Sequence, residues 1–391
     1  MRGSALRGEL VLGLEALQPL RGEWDGLAIE RARPFCAPAW MLSWWRHVAP
    51  AGAMLRTIAV FEGNHLLAIA PFFAEERPSG VVRYRLLGAG ASGHLEPLAR
   101  AGEELRAATV IAGLLSSTSP HPDVITFEGI SRRSPWPRLL RETWPGGPMP
   151  LLRRRMSMPA PMITFSDSTY AEWLSSIAPT NRRELRRRRR RITERGGAFR
   201  LATSESAAVQ GLAAFASLHY ERWRSRGGSG VLNPRIELML ADVARELVGD
   251  LRFRLWSMEV GDRVISSQIF VAAGGGVTYW LGGFDEEWAA YGPSIQTVWA
   301  AIEHAWACGD QRMDMGPGGQ EYKYLFARAE ETVDWIDLIP RTLRSPITRL
   351  RLLPEHLGMQ LTEARHNASR RLSQKARERL KKAMARIHRG R

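Results

Sequence analysis

Side chains able to bind anions, place an amine or move a proton are concentrated between Ser266 and Phe326. Asp314 stands between Met313 and Met315 at the end of a short alternating run. A glycine-bearing loop follows, Gly316-Pro317-Gly318-Gly319-Gln320-Glu321, and ends in Tyr322-Lys323. A carboxylate placed like Asp314 suits the orientation of an amine; capping of the turn is an equally good use for it. Gln268 alternates with Ile269 and Phe270, so it faces either a cleft or solvent. The loop has the glycines of a phosphate-binding P-loop but lacks its Gly-Lys-Ser/Thr ending, which excludes that reading. Gly-x-Ser-x-Gly, His/Glu metal spacings and a dinucleotide fingerprint are absent, so nothing points to a serine hydrolase, a metal site or a Rossmann enzyme.

Three elements must position these residues. Two apolar runs, Ser267–Ala273 and Val277–Leu281, flank Gly274-Gly275-Gly276 and predict a hairpin with a glycine turn. Gly292-Pro293-Ser294 opens a helical pattern carrying Ile295, Val298, Trp299, Ile302 and Trp306; proline suits the first turn, where its missing N–H costs nothing. Gly309 stops the helix, and the alternating run Gln311–Met315 returns the chain toward the glycine loop.

The remaining chain reads as mixed α/β. At 391 residues two domains are expected. Met54–Phe61 and Leu66–Phe73 flank Glu62-Gly63-Asn64-His65 as a hairpin, and Leu251–Ala273 repeats that plan around Gly261-Asp262. Each hairpin follows helices with a tryptophan-rich segment and precedes helix-then-strand, which suggests an internal duplication. Trp40, Trp44 and Trp45 fall at helical spacing, the pattern of a core face. Glycine and proline thicken through Ser134–Pro150, a candidate connection. The units expected are 1–155, 156–340 and a basic, helix-prone extension at 341–391.

Charge is local. Residues 341–391 carry fifteen Lys+Arg against three Glu, a net of +12, and Arg182–Arg191 hold eight arginines against Glu184, a net of +7. The formal total is +15, so the rest of the chain sums to −4 and is not a general duplex-binding surface. The arginine helix reads as a solvated face or as a contact for an anionic substrate, tRNA or lipid headgroups. The tail reads as a docked amphipathic helix, a frayed extension or a surface anchor. No apolar run reaches a membrane span, and the first twenty residues, with Glu9 and Glu15, do not read as a signal peptide. Cys36 and Cys308 are the only cysteines, which argues for a reducing, cytoplasmic compartment and for small packed residues.

Several of these segments together resemble the GNAT acyltransferase superfamily, in particular bacterial cellulose-biosynthesis-associated (CelD-like) acetyltransferases. The matching residues are Pro38-Ala39-Trp40 with Trp44-Trp45, and Asn181-Arg182-Arg183-Glu184-Leu185-Arg186 ahead of Gly196-Gly197. The hairpin around Gln268, Tyr291-Gly292-Pro293, and Met313-Asp314-Met315-Gly316-Pro317-Gly318 with Tyr322-Lys323 complete the set. The resemblance covers roughly residues 5–340. It is also similar to the related Fem-type aminoacyltransferases, which carry two tandem GNAT-like units.

What the resemblance implies is an acyl group moved from a thioester, acetyl-CoA or another acyl-CoA, to an amine on a sugar precursor or small molecule, with no metal. Tyr291, Gly292, Pro293 and Ser294 would cradle the CoA pyrophosphate at the helix N-terminus. This stretch departs from the family's Gln/Arg-x-x-Gly-x-Gly/Ala loop, having one glycine and no basic first residue. Tyr322 would protonate the leaving thiolate and Lys323 would neutralise negative charge; packing of Tyr322 and solvation of Lys323 is the alternative. Asp314 is a candidate for orienting the acceptor amine and Glu221 a candidate base, with a structural role open for each, and Gln268, Gly316 and Gly318 are candidate substrate contacts. Two other functions stay in view, a Fem-like aminoacyl-tRNA-dependent transferase and a non-catalytic scaffold in a polysaccharide-synthesis assembly. An enzyme of either transferase type would be cytoplasmic, or peripheral at the inner membrane face.

Overall fold

The computed structural model describes residues 5–364 except Asp167 and Arg226; the remainder of the basic tail, 365–391, lies outside the described residues. The first half contains β1 (Leu6–Val11), α1 (Arg21–Glu30), α2 (Pro38–His47), β2 (Met54–Glu62), β3 (His65–Glu76), β4 (Val82–Leu86), β5 (Leu98–Ala99), α3 (Glu104–Ser117), β6 (Val124–Ser131) and α4 (Trp136–Glu142). β7 (Leu151–Thr164) leads into the second half, which begins with α5 (Tyr170–Ser176), α6 (Pro179–Thr193), β8 (Gly197–Leu201), α7 (Glu205–Arg224) and α8 (Pro234–Leu247). It continues through β9 (Phe253–Val260), β10 (Arg263–Ala273), β11 (Gly276–Phe284), α9 (Pro293–Ala307), β12 (Arg312–Asp314), α10 (Lys323–Phe326) and β13 (Ala329–Ile339). A last helix, α11, covers 345–364.

All thirteen strands share one sheet, ordered β1-β2-β3-β4-β6-β13-β7-β12-β11-β10-β9-β8, with β5 on β3. Read inward from either edge, the order is the same: four antiparallel strands, one parallel junction, then an antiparallel closing strand. The expected duplication is therefore visible in the strand order itself. The closing strands are exchanged. β7 pairs with β12 of the second half and β13 with β6 of the first, while β7 and β13 pair with each other from Ala329↔Met162 to Ile339↔Leu151. The expected boundary at 155/156 thus falls inside β7, a strand bonded on both edges. The glycine- and proline-rich segment before it holds α4 and is not an open linker.

Apolar patterning explains the layers. Trp40 and Trp44 are buried on α2, as their spacing predicts, and the Trp40 and Trp280 rings meet edge-on at 5.8 Å across the two halves. Cys36 is buried and its thiol is pushed up to about 12, by burial first, so it is inert packing. Cys308 departs from the expectation: it is exposed at the end of α9, with Sγ 3.5 Å from His304 Nε2. The hairpin turn between β10 and β11 needs its glycine. Gly274 has φ +53, and a Cβ there would stand 1.8 Å from the Ile29 carbonyl oxygen. Gly274→Ala should destabilise the fold by about 2 kcal/mol or more in urea denaturation; an unchanged midpoint would show that the turn can back away from α1.

Candidate active site

β11 and β12 run parallel for only three residue pairs, Gly276↔Arg312, Val277↔Met313 and Thr278↔Asp314. β12 stops there, whereas β11 continues to Phe284 beside β10. The sheet is split from Thr278 onward. A cavity of about 700 Å³ opens at the split and is walled by both halves: the Gly90–His94 loop and Glu128 from the first, α7, β11 and the Gly316–Lys323 loop from the second.

Asp314 ends β12 and performs two tasks at once. Oδ1 accepts from the Gly316 N–H at 2.6 Å, the turn-capping role, while Oδ2 lies 2.9 Å from His94 Nε2. The His94 contact is an ion pair slightly off the line of a directed hydrogen bond. Burial alone would drive the two groups toward neutrality. The mutual charge outweighs it, holding the Asp314 carboxyl below its usual range and lifting the His94 imidazole above its own. His94 sits in left-handed backbone, φ 56, at the end of a glycine-rich loop. A histidine paired across two halves of the chain left no local periodicity to find; the run Gly88-Ala89-Gly90-Ala91-Ser92-Gly93-His94 was the only signal.

Lys323 is buried rather than solvated, and Nζ donates to the Gly316 and Pro317 carbonyls at 2.8 Å each. Burial brings its pKa down to about 8, against a partial opposing pull from Asp314. Tyr322 also reaches the cavity and hydrogen-bonds with Tyr279. Burial raises Tyr322 to about 12, with Tyr279 and Arg222 opposing, and Tyr279 goes well above 10, again through burial first. Tyr322 is thus a hydrogen-bond donor across the working range and a poor proton source.

From Tyr279 a chain of bonds runs to α9. Tyr279 donates to Gln268 Oε1 at 2.8 Å, and Gln268 Nε2 donates to Ser294 Oγ at 3.1 Å and Ser266 Oγ at 3.0 Å. Gln268 is wholly buried, so it is neither solvent-facing nor a wall of the cavity; it ties the split sheet to the helix. Gly282 makes room for it, since a Cβ there would lie 1.7 Å from Gln268 Oε1.

α9 begins at Gly292, which adopts φ 63 and ψ 50 and offers no side-chain cap, leaving first-turn N–H groups for an anion. Arginines of α6, with Arg195 just past its end, crowd this opening. Arg188 Nη1 lies 2.8 Å from where a Gly292 Cβ would stand, and the Arg191 and Arg195 guanidinium carbons sit 4.8 and 5.0 Å over the Tyr291 ring. Arg189 packs 3.6 Å over Trp299 and pairs with Glu303 at 2.7 Å. This face of α6 is therefore built against α9, with only part of it solvated. Tyr291 is a platform for those cations and does not reach the cavity.

Two expected residues are elsewhere. Glu221 is exposed, because two residues along a helix turn it to the side opposite His219. His219 faces the cavity instead, its Nδ1 3.3 Å from Gly282 O and Nε2 2.9 Å from Ser229 Oγ. Burial lowers its pKa, so the neutral ring donates from Nδ1 and accepts at Nε2. Gly318 donates its N–H to Pro159 O at 2.7 Å and anchors the loop to β7, whereas Gly316 lines the cavity. His94, His219, Arg222 and Tyr279 join Gly316, Tyr322 and Lys323 there, whereas Asp314 does not line the cavity and reaches it through His94. Among the described residues no cluster could hold a metal ion.

Comparison with known proteins agrees with this geometry. Residues 180–324, which run from α6 into α10, match the acetyltransferase (GNAT) domain family. No curated protein matches the chain in sequence. Among solved structures it is similar to FemX, at 12% identity and TM-score 0.59 over 84% of this chain and 98% of that one. It is also similar to a protein of unknown function from Bacteroides thetaiotaomicron VPI-5482, at 11% identity and TM-score 0.53 over 85% and 100%. The C-terminal domain (DUF2156) of a lysylphosphatidylglycerol synthetase homologue from Agrobacterium fabrum gives 7%, 0.51, 81% and 90%. These likenesses establish the fold. The match to that domain family in the second half and the same strand order in the first give the chain a tandem GNAT-like fold.

Proposed function

We propose that this chain is an N-acyltransferase that takes an acetyl or other acyl group from acyl-CoA and gives it to an amine held in the cavity between its halves. The observation that carries the reading is the parting of β11 and β12 at Asp314, linked through Tyr279 and Gln268 to a helix N-terminus flanked by Arg188. The residues present fit a phosphate-bearing thioester: an uncapped Gly292 turn with Ser294 and Arg188 for the phosphates, and Tyr322 and Lys323 in the cavity. When bound, acyl-CoA supplies the activated acyl carbon and a thiolate leaving group.

The chain supplies the rest. Asp314 and His94 form the acid–base pair at the end of β12: with Nε2–H held by the carboxylate, the neutral form of the His94 ring receives at Nδ1 the proton that the attacking amine gives up. Tyr322, whose hydroxyl donates to Tyr279 while the proton of Tyr279 is taken by Gln268, would turn that hydrogen bond to the departing sulfur. Lys323 sets the Gly316–Pro317 carbonyls and places positive charge beside the reacting centre. Around the acceptor, Trp280 and Trp335 give flat apolar faces and Glu128, Ser92 and Gln320 polar points, a lining suited to a sugar-like amine. This agrees with a CelD-like role in polysaccharide or cell-envelope precursor metabolism.

Purified protein incubated with acyl-CoA donors and amino sugars should release free thiol; no affinity for any CoA thioester would sink the reading. The pH profile gives a further test. A cationic Lys323 with its pKa at about 8 predicts a rate that falls as pH rises through that value, because the ammonium is lost. Lys323→Met should run slower and lack that descending limb; a profile unchanged in the variant would remove Lys323 from the mechanism.

A Fem-like reading is favoured by one observation, the α6 arginines gathered at the opening of α9. An aminoacyl-tRNA donor would bind with a steep salt dependence that disappears when Arg186–Arg191 are neutralised, while CoA thioesters would not compete.

A further inference from the structure

α11 is oriented backwards for a surface helix. Its inner face is largely polar: Ser345, Thr348 and His356 are buried with Leu352 against the first half. His356 Nε2 bonds Asp337 at 2.7 Å, and Glu355 receives Arg83 at 2.7 Å and Arg77 at 3.2 Å. These buried pairs fix the rotation of the helix about its axis. The opposite face is then forced outward, and it is apolar. Ile347, Leu350, Leu357 and Leu361 are each more than half exposed, and Leu343 just before the helix is fully so. With Pro354 they follow a three-four spacing that makes one continuous stripe. Arg344 and Arg351 border the stripe on one side and Arg349 on the other, by the same helical geometry.

We propose that this stripe lies on an anionic lipid bilayer, leucines in the headgroup–acyl boundary and arginines among the lipid phosphates. Charge selects this occupant. Residues 341–391 carry a net +12, of which 365–391 contribute eleven Lys+Arg against Glu378 alone. A second copy on the stripe would set two such segments against each other, and folding 365–391 over it would add cations beside Arg344, Arg349 and Arg351. An anionic surface satisfies both the apolar stripe and its basic borders. Among the described residues no helix is long and apolar enough to cross a membrane, so α11 would lie in the surface plane. The inference is independent of the acyl-transfer reading.

The test is co-sedimentation of the full chain with vesicles of phosphatidylcholine alone or mixed equally with phosphatidylglycerol. Binding should be at least about ten-fold stronger to the anionic vesicles. A Leu350→Ser, Leu357→Ser, Leu361→Ser triple variant should lose about ten-fold or more of that binding. Its melting temperature and sedimentation coefficient should not move, since the three side chains make the outward face. Emission of a Leu357→Trp variant should shift to the blue on the anionic vesicles. No binding to them, undiminished binding by the triple variant, or conversion of a dimer to a monomer by it would each overturn the proposal, the last by making a second copy the occupant.

Discussion

Asp314→Asn is expected to slow acyl transfer by roughly 100- to 10,000-fold while leaving the protein folded. The substitution separates the two tasks of the carboxylate. An asparagine Oδ1 can still accept the Gly316 N–H, so the turn that ends β12 survives. What goes is the negative charge facing His94. With Asp314 removed, the burial that already presses on His94 becomes its dominant influence, and the imidazole pKa should fall below its ordinary value of about 6.5. Two measurements check this: kcat/KM against pH, and the titration of the His94 ring by NMR. Asp314→Ala should add a loss of stability of about 1–3 kcal/mol by leaving the buried Gly316 N–H unpaired. A variant Asp314→Asn within about three-fold of the parent rate would reduce Asp314 to a turn cap and move the search for the base to His219, the other histidine of the cavity.

Asp337→Ala should be the most damaging single change to the fold, at about 3–5 kcal/mol. Asp337 on β13 is fully buried and accepts from Thr126 Oγ1 at 2.7 Å, faces His356 Nε2 at 2.7 Å and lies 3.3 Å from Arg155 Nε. Alanine leaves the buried Arg155 guanidinium without its nearest counter-charge, with only Glu355 at 4.0 Å, and frees the inner face of α11. It also weakens the pairing region of β13, the exchanged strand that joins the halves. The pH dependence has a definite sign. Burial pushes the Asp337 carboxyl up, but its hydrogen bond with His356 and the nearby Arg155 charge hold it below the usual carboxylate range. Its stabilising contribution is therefore present above about pH 4 and is lost as pH falls through the depressed folded value. Urea unfolding of parent and variant at pH 7 and in acid should show the gap narrowing toward low pH. A gap that persists undiminished in acid would mean that packing, and not the charge, holds this strand.

The candidate site was legible where local pattern and chemistry coincide. Gly274-Gly275 marks a turn by backbone freedom, Pro293 marks a helix start by its missing N–H, and Asp314 before Gly316 marks a strand end by side-chain capping. Gln268 shows the limit. Alternation placed it on one face of β10, but that face proved to be covered by Tyr279 and α9. Glu221 and His219 show the same limit on a helix: spacing placed them on different faces without saying which face meets the cavity. For Lys323 solvation stood as the alternative to a charge-neutralising role, and only the folded loop gives its ammonium two carbonyls and a buried place.

The sequence by itself determined most of the elements, the repeat of a hairpin-centred α/β unit, the location of the basic segments and the stretch from Ser266 to Phe326 as part of the candidate site. These follow from interactions between residues near in the chain, which periodicity, turn residues and caps record. Tertiary structure alone decided that β7 and β13 change places, that His94 from one half meets Asp314 from the other, and that α11 turns its leucines outward. Each of these depends on partners separated by many residues, whose attraction leaves no spacing rule along the chain.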